Sequence, residues 1–305
     1  MSALSLRYWQ TTRFRLSLSR PLVMGIVNVT PDSFSDGGRH ASVQAACAHC
    51  EQLVVEGADI LDIGGESTRP DAQAPSPQEE LTRVLPVLRH AVTLGVAVSL
   101  DSSEPVVMRA ALDLGVDILN DVRALRRPGA LELLAAQAST GACLMHMRGE
   151  PATMRAEAER GYIDVRAEVQ DFLVERVQAC TTQGIARERL AVDLGYGFGK
   201  TAAHNLALLD AQEAIGQALG LPVLAGLSRK SLLGQITGRA VDERLAASLA
   251  AALAAVARGA RIVRVHDVAQ TVDALKVWQA VARGDVDPWA ALPGAHAPSN
   301  TSKCA

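Results

Sequence analysis

The feature that most constrains this chain is how its short apolar runs end. Leu22–Val27 runs into Asn28, Ile60-Leu61 into Asp62, and Val96–Leu100 into Asp101. Ile118-Leu119 stops at Asn120-Asp121, Ala142–Met145 at His146, and Leu190–Val192 at Asp193. Val223-Leu224 precedes Ser228-Arg229-Lys230, and Ile262-Val263 gives way to Arg264 and His266. Helix-like stretches lie between them, near 42–56, 77–94, 104–114, 129–139, 163–183, 203–219, 242–258 and 268–283. That alternation reads as parallel strands joined by crossover helices. Eight such units point to an α/β fold, a closed (β/α)8 TIM barrel, in which the carboxyl ends of the strands form the active face. One polar strand end is noise, whereas eight of them describe a pocket.

The flanks read differently. In residues 1–20, Phe14, Leu16 and Leu18 alternate with Arg13, Arg15 and Ser17, the pattern of a short strand or hairpin covering the lower mouth of the barrel. Residues 21–284 are then the catalytic barrel, and 285–305, rich in Pro, Ala and Ser from Pro293 onward, a mobile tail. Ser76-Pro77 with Glu79 and Glu80, and Pro105 after Ser103-Glu104, are helix starts. Glycines 57, 95, 115, 184 and 259 sit between a helix and the next strand, where a left-handed cap is wanted.

A formal net charge of −3 makes no general case for nucleic acid or membrane, so any anion site must be local. No apolar run is long enough to span a bilayer. The five cysteines form no disulfide framework, and Cys47-Ala48-His49-Cys50 lacks the further ligands a zinc or redox site requires. It reads as an ordinary helix face. Reduced thiols and no signal peptide lead to the expectation of a cytoplasmic protein.

Two connections are longer than a strand-to-helix turn requires: Thr30–His40 and Gly64–Ser76. The first holds Thr30-Pro31-Asp32-Ser33-Phe34, where Pro-Asp and Asp-Gly-Gly are turn chemistry but an apolar Phe34 is not. A lid accounts for it better. Asn28, at the strand end before it, offers a neutral oxygen suited to Mg²⁺, which keeps waters and phosphate oxygens as its other ligands. The second connection carries Thr68, Arg69 and Pro70, a hydroxyl and a guanidinium fork for an anion, or else a solvated loop.

Asp101, Asn120 and Asp193 converge from separate strands and suit a flat heterocycle with an aminopyrimidine edge, unless they pair with arginines instead. Asp193-Leu194-Gly195-Tyr196-Gly197-Phe198-Gly199-Lys200 reads as a ring-stacking wall or a tight turn. Ser228-Arg229-Lys230-Ser231 and Arg264-Val265-His266 follow strands seven and eight, a common phosphate site on this fold. Arg264 and His266 share one side of their strand. Met145-His146-Met147 is an apolar wall rather than chemistry.

Together these segments resemble the dihydropteroate synthase family from about Met24 to Val268. MGIVNVTPDSFSDGG, DIGGESTRP, LND, MHM, GFGK, SRKS and RVHDV stand in the family's order. The resemblance implies a (β/α)8 homodimer of folate synthesis that joins 6-hydroxymethyl-7,8-dihydropterin diphosphate to p-aminobenzoate and is sensitive to sulfonamides. It implies that Asp101, Asn120, Asp193 and Lys230 hold the pterin, with Val122, Met145, Phe198 and Gly226 lining its slot. Asn28 takes Mg²⁺, and Thr68, Arg69, Arg264 and His266 hold the diphosphate. Thr30 to Phe34 and Thr68 to Pro70 belong to two lids, and Phe34, Pro70, Lys230 and Ser231 shape the p-aminobenzoate site. Asp101, Asp193, Lys230, Arg264 and His266 are thereby the expected catalytic set.

The chain departs from the family where Leu194 replaces the usual Pro after Asp193 and Tyr196 brings a hydroxyl that needs a partner. Two rivals share the pocket. Methyltetrahydrofolate:corrinoid methyltransferases require no diphosphate site, so Arg264, His266 and the long loops argue against them. A silent pterin-binding protein is expected to lack Asn28, Arg69 or Lys230, and all three are present.

Overall fold

The computed structural model of the chain describes residues 7–29, 38–66, 74–150, 153–286, 289 and 296–298. An antiparallel hairpin of β1 (Tyr8–Gln10) and β2 (Phe14–Ser17) comes first. Eight parallel strands follow: β3 (Leu22–Asn28), β4 (Ile60–Gly64), β5 (Ala97–Asp101), β6 (Ile118–Asp121), β7 (Gly141–Met145), β8 (Leu190–Asp193), β9 (Val223–Ala225) and β10 (Ala260–Val265). Each pairs with the next and β10 returns to β3, closing the barrel. The helices that carry the chain between strands are α1 (Gly38–Val55), α2 (Pro77–Ala91), α3 (Pro105–Asp113), α4 (Ala130–Ala135), α6 (Val165–Thr182), α7 (Ala202–Leu219), α9 (Leu245–Ala257) and α10 (Val268–Arg283), with α5 (Met154–Arg160) and α8 (Ser231–Thr237) as extra short helices after β7 and β9.

The local signals operate as read. Ser76 caps α2, its hydroxyl accepting from the Glu79 N–H at 3.3 Å while Glu79 accepts from the Ser76 N–H at 2.8 Å. Glycines 57, 95, 115, 184 and 259 all have positive φ. The two short helices escaped the sequence reading; neither opens on a side chain that caps it. In α8 the chain also carries Gly234, where any Cβ would run into the Arg244 guanidinium.

Side chains alternate along each strand between the helix-facing shell and the barrel interior. The shell takes Val23, Val27, Leu61, Ile63, Val98, Leu100, Leu119, Leu144, Val192 and Val263, packed against the helices in the larger core. The interior floor takes Leu22, Met24, Ile60, Ala97, Ile118, Cys143, Ala191, Leu224 and Ile262, and with them Trp9, Leu16 and Leu18 from the hairpin segment. The cap therefore closes the lower mouth, as the alternation of Phe14, Leu16 and Leu18 indicates. It is tied down from below: the Trp9 indole N–H donates to the Arg189 carbonyl at 3.0 Å, and Arg13 ion-pairs Asp117 at 2.5 Å.

The segment 285–305, read from composition as a tail, contributes backbone pairing at one point. A strand β11 (His296–Pro298) lies antiparallel to β2 and makes the cap a three-stranded sheet, with β11 as an edge strand, the kind in which a proline is tolerated. Cys47 and Cys50 ride on α1, with Cys50 fully buried and its thiol pushed up to about 12 by burial, as expected of a helix face rather than a reactive pair. Among the described residues no helix is long and apolar enough to cross a membrane.

Because Trp9 is fully buried at the floor, Trp9→Ala is expected to cost about 3–5 kcal/mol of folding stability. Denaturant unfolding followed by circular dichroism checks this, and a loss under 1 kcal/mol (about a single methylene) would mean the cap is dispensable.

Candidate active site

The same alternation that buries the floor builds the upper mouth. Two residues beyond the floor positions, the inward places are held by Asp62, Ser99, Asn120, Met145, Asp193, Gly226 and Arg264, and two further on by Asn28, Gly64, Asp101 and His266. Of the strand-end residues singled out in the sequence, Asn28, Asp62, Asp101, Asn120, Asp193, Arg264 and His266 thus face one space, whereas Asp121 turns away to accept from the Arg123 and Leu125 N–H groups and His146 bonds Lys200 behind the pocket.

Its polar side is organised by Arg264. The Nε–H donates to Asp62 at 2.6 Å and an Nη2–H to Asp101 at 2.7 Å, while the Asn120 amide donates to Asp62 at 3.2 Å. Asp101 therefore faces the pocket and also pairs with an arginine, whereas Asp193 makes no arginine ion pair among the described residues. Asp62, fully buried, was noted in the sequence only as a strand end; its sharing of strand parity with Asp101 and Asn120 was the available signal. Burial pushes Asp101 up, against the pull of Arg264 and with repulsion from Asp62 and Glu66, to about 7. The guanidinium retains N–H groups beyond these two bonds for a further anion.

Asp193 spends one oxygen on the Gly195 N–H at 2.7 Å. Its other oxygen faces Gly226, where a Cβ would stand in ordinary contact, 3.9 Å from it and 4.0 Å from the Arg264 Cβ. Lys230 closes this side with its ammonium 4.2 Å from the centroid of the Phe198 ring. Burial, reinforced by Arg264 and opposed by Asp193, lowers it to about 8. Its aim is set by Arg229, whose φ of 57° lies in the left-handed region. That turn is held by the Arg229–Asp267 ion pair at 2.5 Å and by the Arg229 N–H donating to Ser248 at 3.0 Å.

Opposite the polar side, Val122, Met145 and Phe198 cluster with Met147 and Met154 into an apolar wall. Met147 stands where the Met145-His146-Met147 run reads as an apolar wall, whereas Met154, on the short α5, had no such signal. The glycine-rich turn after β8 delivers Phe198. At Gly195, with φ of 70°, a Cβ would strike the His146 carbonyl oxygen, so no other residue fits. Lys200 braces the turn from inside, its buried ammonium bonding the carbonyls of Gly195 and Phe198 at 2.9 and 3.1 Å and His146 Nδ1 at 2.9 Å. Lys200 was quoted in a motif but assigned no role, and His146 is a strut rather than a reactive group.

The idea of an aromatic wall in this turn needs one correction. Only Phe198 enters the pocket. Tyr196 packs outward into the helix-facing core with Leu194, and its hydroxyl donates to Gln212 at 2.9 Å. Gln212 in turn donates to the Ala255 and Arg258 carbonyls at 2.8 and 2.9 Å. The hydroxyl has its partner, and the departure at 194 and 196 is absorbed away from the chemistry.

Asn28 is half-buried at the end of β3 and sits beside Gly64 in register. Among the described residues no group of three His, Cys, Asp or Glu side chains could hold a metal. Ser231 opens α8 with its side chain exposed. Thr30, Pro31, Asp32, Ser33 and Phe34, and Thr68, Arg69 and Pro70, lie outside the described residues. At the edge of the second of these segments, Glu66 is ion-paired to Arg123 at 3.2 Å, and Arg123 also reaches Glu150 at 2.7 Å. That link between the loops after β4 and β7 had no sequence signal.

Residues 24–266 match the family described as pterin binding enzyme. The chain belongs to this family, among its dihydropteroate synthases. It is 54% identical over 278 residues to the dihydropteroate synthase of Neisseria meningitidis serogroup B, covering 90% of this chain and 97% of that one. The dihydropteroate synthase of Xanthomonas albilineans, solved with 4-aminobenzoic acid, superposes with a TM-score of 0.83 at 52% identity over 90% of this chain and 99% of that one. The same organism's enzyme in complex with 7,8-dihydropteroate gives a TM-score of 0.80 at 49% identity, over 89% and 99%. Family members of this kind are transferases, and the barrel places this chain with them in fold as well as in sequence.

Because the Tyr196 hydroxyl bonds Gln212 on the outer side of the barrel, Tyr196→Phe is expected to lower stability by about 1–3 kcal/mol and leave turnover unchanged. Unfolding and steady-state rates measured on one preparation test both halves, and a changed rate at unchanged stability would return Tyr196 to the pocket.

Proposed function

We propose that the chain condenses 6-hydroxymethyl-7,8-dihydropterin diphosphate with p-aminobenzoate, giving 7,8-dihydropteroate and diphosphate. The observation that carries this reading is the single mouth in which an apolar wall of Val122, Met145 and Phe198 faces Asp101, Asn120, Asp193 and Lys230, with Arg264 and His266 beside them. A flat pterin seats its ring against the wall and spends its amino and ring N–H donors on the free carboxylate oxygens of Asp101 and Asp193. Asn120 serves as donor or acceptor on the same edge, and Lys230 donates to a ring oxygen or nitrogen.

The reaction is a substitution at the exocyclic methylene. The C–O bond to the diphosphate breaks with its electron pair leaving on oxygen, and the pterin ring delocalises the positive charge that remains. The arylamine nitrogen then forms the C–N bond and gives up a proton, so no strong base is required. Arg264 and His266, with Thr68 and Arg69, stabilise charge on the departing diphosphate. The segments around Thr30–Phe34 and Thr68–Pro70 exclude water that would trap the cation, and Phe34, Pro70 and Ser231 shape the p-aminobenzoate site. Sulfonamides compete there.

Asn28 would hold Mg²⁺ together with water and substrate oxygens, and the ion would supply positive charge against the diphosphate. A homodimer is supported by Ile236, Leu245, Val277 and Val281, apolar side chains left exposed on the adjoining α8, α9 and α10. A cytoplasmic setting is supported by the free thiols of Cys47, Cys50, Cys143 and Cys180.

The deciding experiment follows dihydropteroate and diphosphate together, with and without Mg²⁺. Stoichiometric, Mg²⁺-dependent formation of both is expected, and pterin binding without either product would overturn the reading. Arg264→Lys keeps a counter-charge for Asp62 and Asp101 but loses the planar fork, so the pterin diphosphate KM is expected to rise about ten- to hundredfold. Unchanged kinetics would remove Arg264 from the diphosphate site. Since Lys230 is lowered to about 8, kcat/KM for the pterin substrate is expected to fall as pH rises through that value, where the ammonium is lost. Lys230→Arg should erase that limb of the profile.

A further inference from the structure

His266 reaches the proposed diphosphate site as a neutral ring, and a neutral imidazole can donate from only one of its two nitrogens. Which one is decided next door. The His266 backbone N–H donates to the Ser228 hydroxyl oxygen at 3.3 Å, and the same oxygen lies 3.0 Å from His266 Nδ1. Ser228 is buried at the end of the segment following β9. Its oxygen is already an acceptor, and its one hydrogen needs an acceptor of its own. Among the described residues, Nδ1 is the partner within reach.

From this geometry we infer that Ser228 is a positioning residue that fixes His266 in the Nε2–H tautomer, so that a neutral N–H is presented to the departing diphosphate. The opposite tautomer would leave the Ser228 hydrogen without an acceptor in a buried place and turn a lone pair toward an anion. Burial and the cations of Arg229, Arg264 and Lys230 lower His266 to about 4, so protonation does not supply the missing donor near neutral pH. Asp267, which pulls the other way, is engaged by Arg229 at 2.5 Å. Unlike a charged donor, the Nε2–H needs no proton from solvent and remains available across the neutral range. Ser228 was visible in the sequence only as part of the Ser-Arg-Lys-Ser run, with no role of its own.

The inference rests on the proposed reaction for its ligand but is tested apart from it. Nitrogen-15 NMR of the full-length protein labelled at histidine, with His266→Asn to assign the signal, reads the tautomer directly. Wild type is expected to show His266 protonated at Nε2 and not at Nδ1. The Nδ1–H form, or a doubly protonated ring at pH 7, would overturn the inference. Inorganic diphosphate binding measured by calorimetry is the second readout. Ser228→Ala is expected to weaken it about tenfold and mix the tautomers, and Ser228→Thr to restore both. Unchanged tautomer and affinity in a folded Ser228→Ala protein would refute the positioning role. Wild type that shows the Nε2–H form but no diphosphate binding would leave the tautomer assignment standing and refute the diphosphate site instead.

Discussion

A closed eight-stranded barrel leaves each inward side chain no exit. A residue that points in must either pack against its neighbours across the lumen or find a polar partner there, because the strands leave no free edge and the hairpin seals the lower mouth. Everything functional in this chain follows from that constraint. The first inward layer is wholly apolar and forms the floor. The next layers, two residues further along each strand, carry the carboxylates, amide and guanidinium that form the pocket. Depth along a strand therefore separates stability from chemistry within a few residues of sequence.

The polar layer is kept in being by Arg264. A carboxylate as buried as Asp62 costs several kcal/mol unless it is paired, and Arg264 pairs it from across the closure between β10 and β3 while also holding Asp101. The one guanidinium thus links the last barrel strand to β4 and β5 and presets the edge on which a pterin is proposed to bind. Lys230, its ammonium over the Phe198 ring, adds a second positive charge near Asp193. Two cations among the carboxylates of Asp62, Asp101 and Asp193 give the mouth both acceptors and donors, the chemistry on which the proposed binding of a pterin diphosphate rests.

The barrel was legible because periodicity and strand-end chemistry are local. Asp101, Asn120, Asp193 and Arg264 were readable as residues facing the barrel mouth from position alone, and the Ser76 cap and inter-element glycines from short signals. What escaped is supported from elsewhere in the chain. Lys200 has meaning only beside the His146 carbonyl that Gly195 lets approach. Arg123 acts through Glu66 and Glu150, far apart in sequence. Which aromatic of the Gly195–Gly199 turn forms a wall was open in the sequence; packing against α7 sends Tyr196 outward to Gln212 and leaves Phe198 in the pocket.

The sequence by itself determined the parallel strands, their number, the sealed floor and the residue types gathered at the upper mouth, since each depends on patterns only a few residues long. Tertiary structure decided which of those residues touch. Hydrogen bonds such as Arg264 to Asp62 and Ser228 to His266 depend on the register of strands that are hundreds or tens of residues apart, and on a closure no local pattern encodes. Direction of a side chain at a glycine-rich turn, and the tautomer of a buried imidazole, are properties of the neighbours, and the neighbours are chosen by the fold.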